Sequence, residues 1–178
     1  HAMRMRIGLN SGPVVVGNMG SKHRFNYTMM GDVVNLAARC ESGAKSFGVY
    51  TLVTEETVKL ARAAGCGCVF RALDRIVVKG KTLPVEVYEL VALSPEHLPE
   101  GATRCLEVFE MGRAHYLKQE WEEAIRCFQA AAVLEPLQPG RDAGVESTPS
   151  LLMRDRCERL SKSPPGAGWD GVYKMTAK

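Results

Sequence analysis

The spacing of apolar residues changes period at Gly31-Asp32, and this change limits the possible folds more than any other feature of the chain. Upstream, Arg24-Phe25-Asn26-Tyr27-Thr28-Met29 alternates as a half-buried strand does. Downstream, Asp32 to Phe47 places Val34, Ala37, Ala38 and Ala44 on one helical face, with Asp32 expected as N-cap and Gly48 as the breaker. The pattern then repeats. A strand at 49–53 leads to Thr54-Glu55-Glu56, the signature of a capped helix over 55–64. CGCVF joins two β-rich runs, RALDRIVVKGK and PVEVYELVAL, which end near Leu93. Before Arg24, RMRIGLNSGPVVVGNMG reads as two short strands forming a hairpin around Ser11-Gly12-Pro13. Residues 1–93 are therefore expected to form a mixed α/β (α+β) unit. Because strand-like sequence begins at Arg4, that unit reads as cut into on its N-terminal side.

From Ser94 the character changes. Residues 94–102, with two prolines and a glycine before Ala102, read as a linker. Residues 103–162 carry a helical pattern. Leu106, Phe109, Ala114 and Tyr116 mark a first helix, and Trp121, Ala124, Ile125, Phe128, Ala131 and Ala132 a second, closed by Glu135-Pro136. A partial successor is expected at 150–162, and 163–178 reads as an irregular tail with aromatic anchors. The small and aromatic spacing resembles one tetratricopeptide unit, short of the roughly three that a free-standing solenoid needs. A helical appendage outside the α/β unit, with a possible protein partner, is the expected arrangement.

Composition narrows the function classes. A net charge of +3 with the basic residues dispersed does not point to nucleic acid. No apolar run approaches the roughly 18–20 residues of a membrane span, so a cytoplasmic segment is expected. The six cysteines lack CxxC spacing and read as reduced thiols, and His23, His97 and His115 lie in no ligand spacing.

Arg24 to Arg39, RFNYTMMGDVVNLAAR, is preceded by RIGLNSG and VVGNMGS and followed by VVKGK. Together, in this order, these blocks resemble the class III adenylate/guanylate cyclase catalytic domain, in the subgroup with Thr at the base-selecting position. The resemblance covers roughly residues 4–92. It implies a ferredoxin-like fold, here without its first strands, and an active site shared between two catalytic domains. It also implies cyclisation of ATP to cyclic AMP and pyrophosphate, a reaction dominated by positioning and charge neutralisation. On this resemblance Asn35 orients the ribose, Arg39 steadies the phosphates in the transition state, Lys79 binds the terminal phosphates and Thr28 faces the purine edge. Thr28 can donate or accept a hydrogen bond, so ATP is favoured without GTP being excluded.

The family's metal pair, Mg²⁺ or Mn²⁺, is held by two acids expected upstream of His1. Asp32 and Asp74 are read instead as an N-cap and a turn residue, so no metal ligand is assigned in this chain. A second class of function stays open: a non-catalytic cyclase-like module that binds a partner protein.

Overall fold

The computed structural model describes residues 5–21, 23–77, 84–135 and 147–174. The fold is mixed α/β. Its elements are β1 (Ile7–Leu9), β2 (Val15–Ser21), β3 (Arg24–Met30), α1 (Asp32–Phe47), β4 (Thr51–Thr54), α2 (Glu55–Ala63), β5 (Val69–Val77), β6 (Val85–Ala92), α3 (Ala102–Leu117), α4 (Trp121–Leu134), α5 (Pro149–Lys162) and β7 (Val172–Lys174). A five-stranded sheet runs β1-β4-β6-β5-β7, with β1–β4 and β5–β7 parallel and the two central pairings antiparallel.

The expected hairpin around Ser11-Gly12-Pro13 does not form. β1 pairs in parallel with β4, Gly8 opposite Leu52, while β2 turns back on β3 in a separate two-stranded ribbon. The cause is close packing: a Cβ on Gly8 would lie 2.1 Å from the carbonyl oxygen of Ala37, so β1 is the strand over which α1 passes.

α1 has the bounds that its apolar spacing predicts, but the cap differs. Gly31 is the N-cap and Asp32 the first helical residue, with no side-chain cap hydrogen bond. Gly31 has φ 146° and ψ 162°, a region open essentially to glycine alone, and this lets β3 pass into α1 without a loop. Thr54 precedes α2 in extended conformation as predicted, yet its hydroxyl donates to Asn10 and makes no cap hydrogen bond.

The larger difference lies beyond Leu93. α3, α4 and α5 do not stand outside the α/β unit but share one core with it. Phe47, Leu52, Leu73 and Val87 cluster with Phe109, Tyr116, Phe128, Met153 and Cys157. In α3, Gly112 lets α4 approach closely, since a Cβ there would come within 2.9 Å of the Phe128 ring. The tail expected to be irregular contributes β7, whose Val172 to Lys174 pair with Arg75 to Val77.

Ion pairs cross the same boundary. Arg71 of β5 donates to Glu89 of β6 (2.8 Å) and to Glu135 after α4 (2.6 Å). Arg113 of α3 reaches Glu86 of β6 at 3.0 Å. Asp74 is not a turn residue: it sits in β5, 2% exposed, paired with Arg156 of α5. A register shift between Ala72 and Asp74 accounts for its inward position.

Candidate active site

β3 and α1 form the element that carries three of the four predicted site residues. Thr28 lies on β3 opposite Gly17, exposed on a ribbon that is open to solvent along most of its length. Asn35 is exposed and Arg39 half-buried on α1. Four residues apart, they project from the same side of the helix, one turn from each other. The carbonyl of Gly31 accepts from the backbone N–H groups of Val34 (3.1 Å) and Asn35 (3.2 Å), so the strand and the helix form one stiff corner. Lys79 lies outside the described residues.

Asn10, to which the sequence reading gives no role, locks this corner to the sheet. Its Nδ2 donates to the carbonyl of Val33 at 2.9 Å, and its Oδ1 accepts from the Thr54 hydroxyl at 2.7 Å. Nearby, the hydroxyls of Ser11 and Thr57 lie 2.9 Å apart. The first turn of α1 is thereby tied to the ends of β1 and β4. The signal was present in the RIGLNSG block, but a hydrogen bond to a carbonyl 23 residues away leaves no mark in local spacing.

Among the described residues no acid pairs with Arg39. A guanidinium without a local counter-ion, one turn from a carboxamide, suits a polyanionic ligand. The planar guanidinium engages phosphate oxygens in pairs, and the amide can donate and accept beside it.

The described residues do not fit a divalent-metal pair. They include no group of three or more His, Cys, Asp or Glu residues that could hold an ion. Burial pushes the Asp74 carboxyl upward and Arg156 offsets this only in part, so Asp74 is committed to the core. No helix among them is long and apolar enough to cross a membrane.

Residues 1–92 match the adenylate and guanylate cyclase catalytic domain. The chain is 28% identical over 151 residues to the terminal-differentiation-specific adenylate cyclase of Dictyostelium discoideum, covering 85% of this chain and 7% of that protein. It is 33% identical to adenylate cyclase 1 of Rhizobium meliloti, covering 62% of this chain and 15% of that one. The chain thus spans a small fraction of these relatives. Among solved structures, the adenylyl cyclase CyaB from P. aeruginosa is 35% identical with a TM-score of 0.41, over 49% of this chain and 42% of that one.

Proposed function

We propose that this chain, which belongs to the adenylate and guanylate cyclase catalytic-domain family, is part of an adenylate cyclase. In this reading it supplies the half of a shared active site that orients the ribose and steadies the phosphates. The observation that carries it is the β3–α1 corner. Asn35 and Arg39 stand one turn apart on a helix whose first turn is pinned, beside an accessible strand bearing Thr28.

Asn35 holds the ribose so that its 3′-hydroxyl faces the α-phosphorus. Arg39 neutralises charge that develops on the phosphates as pyrophosphate leaves. Lys79 adds a point charge at the terminal phosphates, and the Thr28 hydroxyl addresses the purine edge, which favours ATP. Mg²⁺ or Mn²⁺ chemistry belongs to acids outside the described residues.

The dimer reading is supported by the β2–β3 ribbon. Val16, which lies opposite Met29, and Phe25, Tyr27 and Met29 on the same face are 51%, 64%, 75% and 58% exposed, an apolar surface suited to a second catalytic domain. α3 and α4 are proposed as a tetratricopeptide-like pair, on the support of the close Gly112–Phe128 contact.

The test is complementation. The chain is mixed with a full cyclase catalytic domain whose own Asn and Arg at the corresponding positions are replaced, and cyclic AMP is measured with manganese-ATP. Activity is expected only in the mixture. Arg39→Ala in this chain should lower it roughly 10²–10³-fold, as loss of one positioned charge-stabilising group does. Silence despite demonstrated heterodimer formation would overturn the catalytic reading. It would favour a non-catalytic interaction module.

A further inference from the structure

The six cysteines divide into two kinds. Cys40, Cys105 and Cys157 are buried, and burial first of all pushes their thiols up to about 11, 12 and 12. Cys127 is half-buried and burial raises it too. These thiols stay protonated and shielded, which makes them poor nucleophiles.

Cys66 and Cys68 differ in place and in geometry. They occupy the crossing from α2 to β5, Cys66 exposed and Cys68 partly so, with Gly67 between them. Their sulfurs are 2.9 Å apart, the Cys66 thiol donating to the Cys68 sulfur. The backbone N–H of Cys66 donates to the carbonyl of Ala61 at 2.9 Å, so the end of α2 anchors one member of the pair. Because Cys66 is exposed and Cys68 partly exposed, a reagent in solution can reach the pair. The side-chain hydrogen bond between them lowers the Cys66 thiol and raises that of Cys68, so Cys66 is the attacking member of the pair.

We propose that Cys66 and Cys68 form a reversible dithiol–disulfide site that reacts with a low-molecular-weight disulfide of the glutathione class. The Cys66 thiolate attacks one sulfur of the reagent, the reagent's S–S bond breaks, and one thiol departs. Cys68, deprotonated, then attacks the Cys66 sulfur of the mixed disulfide and expels the second thiol. In sum, two protein thiols lose two hydrogens and two electrons, and the reagent disulfide is reduced to two thiols. The second step is intramolecular and the sulfurs already touch, so the mixed disulfide is short-lived. Exposure of the product keeps it within reach of reducing thiols, which makes the step reversible.

The experiment treats the whole chain with one equivalent of glutathione disulfide, alkylates the remaining thiols, digests with trypsin and weighs the peptide spanning 63–71, which holds both cysteines. Loss of two hydrogens in that peptide is expected, reversed by dithiothreitol, with Cys40, Cys105, Cys127 and Cys157 still alkylated. In Cys68→Ser the glutathione adduct on Cys66 should persist, because the resolving thiol is gone. Phenylarsine oxide, which bridges two neighbouring thiols, should block both at one equivalent. A stable glutathione adduct in the unaltered chain, earlier oxidation of Cys127, or no mass change would each overturn the proposal.

Discussion

At the scale of single residues, Thr28, Asn35 and Arg39 are exposed or half-buried, whereas Asn10, which ties their strand–helix corner to the sheet, is half-buried and hydrogen-bonded on two sides. Asn10 satisfies the Val33 carbonyl in the first turn of α1 and the hydroxyl of Thr54, which is 1% exposed. Asn10→Ala removes both hydrogen bonds and leaves polar groups unpaired. It should lower stability by about 1–3 kcal/mol in urea denaturation. Asn10→Asp keeps the acceptor for Thr54 but loses the donor to Val33, so it should fall between the two. If Asn10→Ala and the unaltered chain melt alike, the corner is held by something else. The placement of Thr28, Asn35 and Arg39 on one strand–helix unit was legible, because it rests on local apolar spacing. Asn10 was not, because its partners lie 23 and 44 residues away.

At the scale of elements, local signals located most helices and strands, but pairing needed information that local signals do not hold. The bounds of α1 follow from its apolar spacing and from Gly48, and α4 ends before Pro136 as its pattern predicts. The partner of β1 could not be read that way, since a parallel neighbour 44 residues away competes with a hairpin turn that looks adequate in sequence. Asp74 was misread for a related reason: a charged residue in a β-run suggests a turn unless its counter-ion is known, and Arg156 lies 82 residues on. Arg71 offers the sharpest test of how strand and helix layers are joined. It is 6% exposed between Glu89 and Glu135, with its guanidinium 4.9 Å from the centre of the Phe109 ring. Arg71→Ala strands two buried carboxylates and should cost roughly 3–5 kcal/mol. Burial holds the Glu89 carboxyl above its ordinary value of 4.5, so the folded state binds its proton more tightly than the unfolded chain does. Stability from that group is therefore greatest at low pH and is lost as pH rises above 4.5. Without Arg71 this dependence steepens, and the deficit of the variant should shrink as the pH is lowered towards 4.5. A deficit that is the same across that range would show that the loss is one of packing alone.

At the scale of the whole molecule, one core joins the catalytic-domain sheet to the three later helices, and the chain's end returns to the sheet as β7. Tyr116 lies 4.9 Å from Trp169 and 5.9 Å from Trp121, centre to centre, so the tail is anchored on the helices before it pairs with β5. Three buried thiols report on this core from different layers: Cys40 on α1, Cys105 on α3 and Cys157 on α5. Burial raises each above the ordinary thiol value of 9.0, to about 11 for Cys40 and about 12 for the other two. The sign follows from proton counts. Between pH 9 and 11 the unfolded chain releases these protons while the folded chain keeps them. The unfolded state therefore binds fewer protons, and the free energy of unfolding falls as pH rises. Stability that these thiols contribute is complete below pH 9 and drains away up to about pH 12. Urea unfolding at a series of pH values should show this decline in a single transition for sheet and helices alike, because the layers share the core. Cys157→Ala should remove one proton from the slope while lowering stability throughout. Two separate transitions would mean that the helices do not unfold together with the sheet, and an unchanged slope in Cys157→Ala would mean that the Cys157 proton is not linked to unfolding.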